Sequence, residues 1–344
     1  MAGDRNQNLP GLDLDVVGAF LRADVDPDIG ECAGQVIAGG KSNMTYLVGD
    51  GRHQWIVRRP PLGHVLETAH DMGREARVMS ALAPTAVPVP KVLAVCTDPG
   101  PIGVPFYVME YVPGIAYRHE SELRDLGAAR TREIADEMID VLADLHTVDP
   151  SAVGLGGLGR PGGFLDRQLS RWTRQLEASR SRELTGAEEL RAALAARVPT
   201  ESAARIVHGD YRLDNLLVDD SGVRAVIDWE MATIGDPLTD LALLVVYGRV
   251  AENPGGEVIT TISRAPGFPS AAELVERYVA RTGPLPSAGL GFYLGLAAFK
   301  LAVILEGIHF RHSQGHTVGV GFDMVGALVE PLFGEGIALL KEWS

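Results

Sequence analysis

Cysteine is almost missing from this chain: only Cys32 and Cys96 occur in 344 residues, and they form no Cys-x-x-Cys pair. Two thiols cannot build a disulfide framework or a four-thiolate zinc site, so a reducing, cytoplasmic setting is expected. Positive charge is also short. Lys and Arg number 31 against 45 Asp and Glu, a formal net charge of −14, which removes general nucleic-acid binding because phosphate backbones demand clustered cations. The N-terminal MAGDRNQNLPGLDLD has no apolar core, so no signal peptide is expected. No long apolar run is free of charge either. The most membrane-like stretch, Ala288 to Ile308, carries Lys300 and Glu306 and four glycines, and a buried helix rather than a bilayer span is expected there. Neither a membrane nor a nucleic acid is an expected partner.

What is present is enough apolar material for a large core. A hydrophobic content of 46% with 22% charged residues is that of a folded globular chain, and 344 residues suit two domains or one bilobal unit. The densest signal lies between His208 and Asp240. Three polar positions there alternate with short apolar runs: Ile206-Val207 before His208, Leu216-Leu217-Val218 after Asn215, and Ala225-Val226-Ile227 before Asp228. Asp219-Asp220-Ser221-Gly222 has the residues of a tight hairpin turn, which brings Asn215 and Asp228 to neighbouring strand ends. Asp210 stands five residues before Asn215, so two carboxylates and an amide oxygen can converge. Oxygen ligands of this kind suit Mg2+ together with phosphate oxygens and water, and a Mg-nucleotide site follows.

The order His208-x-Asp210, Asn215 five positions on, and Asp228 later at a strand end is that of a kinase catalytic loop. HGDYRLDNLL, with Gly209 where protein kinases have Arg, and Ile227-Asp228-Trp229-Glu230 in place of Asp-Phe-Gly, resemble the aminoglycoside phosphotransferase and choline kinase-like family of small-molecule kinases. The branch fused to acyl-CoA dehydrogenases is the nearest in pattern. The resemblance covers Val36 to Phe310 and implies an α+β, bilobal protein-kinase-like fold. Residues 1–110 would form a small antiparallel sheet lobe with a helix that binds nucleotide. Residues 111–344 would form a larger, mostly helical lobe that carries catalysis and the acceptor.

In the first lobe, Gln35 to Ala38 and Thr45 to Val48 read as strands joined by Gly39-Gly40-Lys41-Ser42-Asn43. Glycines admit phosphates close to the backbone, and Ser42 and Asn43 add donors, as in a kinase glycine-rich loop. The strand Trp55 to Arg58 carries Arg58 at the position of the usual kinase lysine. Arginine keeps a permanent charge and a fork that fits phosphate, and Arg59 is set aside because strand alternation turns it to the opposite face. Glu75 on the following helix is the partner that the resemblance implies for Arg58. The backbone from Glu110 to Val112, after the strand Phe106 to Met109, is by the same resemblance the inter-lobe hinge that meets adenine.

Beyond the hinge, Ile134, Met138, Val141 and Leu145 fall at helical spacing, as do Leu165, Leu169, Trp172 and Leu176. Asp236 before Pro237 reads as a helix cap, Asp240 as a buried partner of the catalytic loop, and His146 as a structural or surface histidine. His309, His312 and His316 near Glu306 lack an HExxH pattern and read as a helix end. The expected protein is a kinase that moves a γ-phosphoryl group from ATP or GTP, with Mg2+, to an alcohol of a small molecule: an aminoglycoside, another amino-alcohol or sugar, or a hydroxyacyl thioester. Asp210 is the base, His208 braces its loop, Asn215 and Asp228 hold the metal, and Arg58, placed by Glu75, holds phosphates. The competing reading is a nucleotide-binding pseudokinase acting as a regulatory or interaction module, which Arg58 keeps open. Protein kinase activity is disfavoured because no Ala-Pro-Glu follows Asp228.

Overall fold

The computed structural model describes residues 9–39, 43–62, 71–200, 204–287, 289–315 and 324–343. Gly40, Lys41 and Ser42 of the glycine turn lie outside the described residues, as does His316. The chain divides into two compact units, residues 1–114 with 224–232 and residues 115–223 with 233–344.

The first unit begins with α1 (Leu14–Asp24), started by Asp13, whose Oδ1 accepts from the amides of Asp15 and Val16 at 3.0 and 3.2 Å. Its apolar positions Val17 and Leu21 join the inward residues Tyr46, Val48, Trp55, Val57, Phe106 and Val108 of the sheet in one core. That sheet is antiparallel and runs β1 (Ala33–Gly39), β2 (Met44–Gly49), β3 (Gln54–Arg59), β5 (Phe106–Glu110), β4 (Val92–Cys96). The register sets Arg58 of β3 opposite Tyr107 of β5. Between β3 and β4 comes α2 (Met72–Leu82), capped by Asp71, which buries Met72, Glu75, Ala76, Val78 and Met79. A carboxylate in that apolar list needs a partner in the interior, since an unpaired buried charge is costly.

The second unit is mainly helical: α3 (Glu120–Leu126), α4 (Ala128–Thr147), α5 (Phe164–Ser179), α6 (Ala187–Ala195), α7 (Leu238–Glu252), α8 (Ala271–Thr282), α9 (Gly291–Ser313) and α10 (Val329–Glu342). Two short strands, β6 (Arg205–Val207) and β9 (Thr233–Gly235), pair antiparallel just before the loop that begins at His208. β7 (Leu216–Asp219) and β8 (Gly222–Val226) pair across the turn Asp220-Ser221, where Asp219 Oδ1 accepts from the Ser221 amide at 2.8 Å and its hydroxyl at 2.6 Å. The boundary between the units falls inside β8.

Helix α9 is long and apolar enough to span a bilayer, yet 83% of its most apolar window is buried inside the protein. It packs against α5, α6, α7 and α10, so its composition is that of a central core helix. The architecture is the expected α+β class, with the antiparallel sheet first and the helices after it.

Candidate active site

In the first unit four residues singled out from the sequence come together. Arg58 is buried on β3, its Nε lies 3.1 Å from Glu75 Oε2, and its Nη2 donates to Asp228 Oδ1. Glu75 is held by two further donors: the Tyr107 hydroxyl to Oε2 at 2.9 Å and Asn43 Nδ2 to Oε1 at 2.8 Å. Asn43 Nδ2 also reaches Glu230 Oε2 at 3.1 Å, so its amide is spent on carboxylates. Burial opposes the charge of Arg58, but Tyr107, Glu75 and Asp228 outweigh it and hold the guanidinium above its ordinary range. Burial pushes the Glu75 carboxyl up, with Arg58 pulling against it. Arg59 points elsewhere, donating from Nε to the Pro60 carbonyl at 3.1 Å and from Nη1 to the Gly11 carbonyl.

Asp228 has φ +67° and is the one non-glycine residue with positive φ among the described residues. A β-carbon resists that region, and Asp is one of the few side chains that enters it at modest cost. Around it, Trp229 Nε1 donates to the Val226 carbonyl at 2.9 Å and Arg74 Nη2 donates to the Ala232 carbonyl at 2.7 Å, which ties this turn to α2. Of the hinge positions, Glu110 gives its amide to the Lys91 carbonyl and accepts from the Lys91 amide on Oε1, both at 2.9 Å, while Val112 is half-buried. Gly39 ends β1 opposite Met44.

The second unit holds the loop His208 to Asn215. Asp240, wholly buried on α7, accepts from the amides of His208 and Gly209 at 2.7 and 2.8 Å. His146 Nε2 lies 3.3 Å from the same carboxylate, and its Nδ1 lies 2.7 Å from the Tyr278 hydroxyl. Burial works against the Asp240 charge, yet His146, His208 and the Gly209 amide overcome it and hold the carboxyl below its ordinary range. His208 accepts from the Asp210 amide on Nδ1 at 3.2 Å, which makes it the internal brace of the loop. Asp236 accepts from the Leu238 amide at 3.0 Å and from the Tyr293 hydroxyl at 2.8 Å, a structural role at the start of α7.

Asp210 is pinned from two sides. Asn215 Nδ2 donates to its carbonyl at 2.8 Å and to Oδ2 at 3.3 Å, and the Tyr247 hydroxyl donates to Oδ1 at 3.2 Å. Arg212 forks onto Asp214 and lies over the Tyr247 ring, 4.5 Å from its centroid. The sequence assigns no separate role to Tyr107, Tyr247 or Glu230, whose hydroxyls and carboxylate act across distant elements. It shows Lys300 only as an interruption of an apolar helix, and Lys300 Nζ donates to the Gly209 carbonyl at 2.7 Å.

A sequence model described as the phosphotransferase enzyme family matches residues 33–282. The chain belongs to this family. It is similar to a solved structure from Ralstonia eutropha, provisionally described as an aminoglycoside phosphotransferase, with 34% identity and a TM-score of 0.84 over 96% of this chain and 99% of the other. It shares the fold of the aminoglycoside phosphotransferase APH(4)-Ia, solved as a ternary complex with AMP-PNP and hygromycin B, at 17% identity and a TM-score of 0.61 over 94% of this chain and 97% of the other. The mouse acyl-CoA dehydrogenase family member 10 is 35% identical over 301 residues. That alignment covers 85% of this phosphotransferase but only 28% of the mouse protein, and the expected likeness to the dehydrogenase-linked branch holds.

Taken one at a time, the two metal-ligand candidates have the chemistry that a magnesium ion takes. Because Asn215 commits Nδ2 to Asp210, the atom it presents elsewhere is the amide oxygen. Asp228 keeps a carboxylate whose side chain is 28% exposed, enough to be reached by a hydrated cation. Both are hard oxygen donors of the kind Mg2+ prefers.

Proposed function

We propose that this chain moves the γ-phosphoryl group of ATP or GTP to a hydroxyl of a small molecule. The observation that carries the reading is the Asp210 carboxylate, fixed by Asn215 and Tyr247 on a loop that Asp240 anchors through two amides. Phosphoryl transfer asks for in-line positioning and charge neutralisation more than covalent chemistry. The Asp210 carboxylate accepts the proton of the acceptor hydroxyl while that oxygen bonds to the γ-phosphorus. The bond from the γ-phosphorus to the bridging oxygen breaks, and its electron pair leaves with the nucleoside diphosphate. Asn215 and Asp228 would hold Mg2+, which neutralises phosphate charge when bound. Arg58, placed by Glu75, engages the α- and β-phosphates. By the family resemblance the stretch from Gly39 to Asn43, of which Gly40 to Ser42 lie outside the described residues, would meet the phosphates through Gly40 and Ser42, and the backbone at Glu110 and Val112 would meet the base. His208 keeps the loop closed.

The acceptor is an aminoglycoside, another amino-alcohol or sugar, or a hydroxyacyl thioester. The chain spans two fifths or less of the length of the acyl-CoA dehydrogenase relatives it matches, so an activity of those whole proteins is no guide to the acceptor. Incubation of the purified chain with γ-labelled ATP, Mg2+ and a panel of such alcohols is expected to label one chemical class with saturable, Mg-dependent turnover. One observation favours a second reading, a nucleotide-binding pseudokinase: Arg58 already pairs with the metal-ligand candidate Asp228. Nucleotide binding with no transfer to any acceptor or to water decides for that reading.

A further inference from the structure

Lys300 is the single charged side chain between Gly291 and Leu305, fifteen residues of otherwise apolar and glycine sequence on α9. An ammonium set among apolar residues is costly unless it is paired. Lysine is also a poor choice for mere packing, since leucine or methionine would fill the same volume with no desolvation. Its Nζ donates to the Gly209 carbonyl at 2.7 Å and sits 5.6 Å from the centre of the Trp172 ring of α5. The charges acting on it are the carboxylates of Asp210 in the loop and Asp240 on α7, opposed by Arg171 on α5. Burial depresses its pKa below the ordinary lysine range.

The Gly209 carbonyl belongs to the peptide group whose nitrogen is that of Asp210. The preceding peptide nitrogens, of His208 and Gly209, are held by Asp240. Asp240 therefore fixes one side of the turn, and Lys300 reaches the carbonyl on the other. Gly209 has φ +89°, where a glycine peptide turns readily; the N–H end of this peptide is held by the neutral acceptor His208 Nδ1, at 3.2 Å, and Lys300 holds its carbonyl end, so that the peptide and the Asp210 side chain it carries are fixed at both ends.

We propose that Lys300 is a positioning residue for phosphoryl transfer: its ammonium clamps the Gly209 carbonyl, completing with Asp240 a two-sided hold on the turn that presents Asp210. The proposal rests on the reading of Asp210 as the base, and it extends that reading to a helix some ninety residues away in sequence. A charge-assisted hydrogen bond of this kind is about twice as strong as a neutral one, which is why a lysine rather than a serine or asparagine serves here.

The test compares the full chain with Lys300→Met by hydrogen exchange of backbone amides and by Mg-ATP turnover, with water as the acceptor. The expected result is faster exchange, about tenfold or more, confined to the peptide covering residues 206–216, together with a fall in kcat of at least tenfold and a KM for Mg-ATP within twofold of the parent. Unchanged exchange in 206–216 overturns the proposal. So does equal loosening of that peptide and of α5, α7 and α10, which marks a lysine that serves the core alone. If the parent chain moves phosphate neither to water nor to any alcohol of the panel, the proposed function fails, and the exchange measurement still decides whether Lys300 holds the loop.

Discussion

Between His208 and Asp210 the backbone passes through φ +89°, and a β-carbon at that point would crowd the following carbonyl oxygen. The arginine of the protein-kinase loop is thus replaced by glycine for a reason of backbone geometry. Gly209→Ala is expected to destabilise the fold by about 1–2 kcal/mol, read as a lowered midpoint of thermal unfolding, and an unchanged midpoint counts against a required left-handed turn. Asp228 occupies the same half of conformational space with φ +67°, and one of its carboxylate oxygens, Oδ1, accepts from Arg58. The pairing of Arg58 with Glu75 was legible because strand, helix and chain order point to it together. The two other donors to Glu75 were not. Tyr107 reads from the sequence as one more apolar strand residue, and only the β3–β5 register shows that its hydroxyl meets Glu75. Asn43, expected among phosphate donors, has its amide turned onto Glu75 and Glu230.

At the scale of elements, α7 and the loop before β7 form one electrostatic assembly centred on Asp240. Its carboxyl is held below the ordinary range in the fold, so it contributes stability that is complete above the ordinary carboxylate range and is lost as pH falls through its lowered value. Asp240→Asn is expected to cost about 3 kcal/mol near neutral pH, because two loop amides and His146 lose a charged acceptor, and the difference from the parent is expected to shrink in acid. Urea unfolding of both chains at neutral and acid pH measures this, and a difference that stays constant with pH contradicts it. The short apolar runs and turn residues announced β6, β7, β8 and the hairpin, since period and turn chemistry are local. Tyr247 could not be read that way. It lies in the middle of a helix whose apolar residues mask any periodicity, and its function appears only when its hydroxyl is seen 3.2 Å from Asp210.

Across the whole molecule, the order of sheet and helices follows from patterning, whereas the membership of residues 224–232 in the first unit does not. That segment is separated from the rest of the unit by more than a hundred residues, and its attachment runs through Val226 to the Pro88 carbonyl at 2.8 Å and through Arg58 and Arg74. The sheet unit therefore owns Arg58, Glu75 and Asp228, and the helical unit owns Asp210, Asn215 and Lys300. The proposed function turns on Asp210 accepting the proton in phosphoryl transfer. The direct measurement is single-turnover transfer by Asp210→Asn beside calorimetric binding of a Mg-ATP analogue. Transfer is expected to fall by about 10²–10⁴-fold while the analogue binds within a few-fold of the parent. Transfer at the parental rate by Asp210→Asn would remove Asp210 from the position of the base.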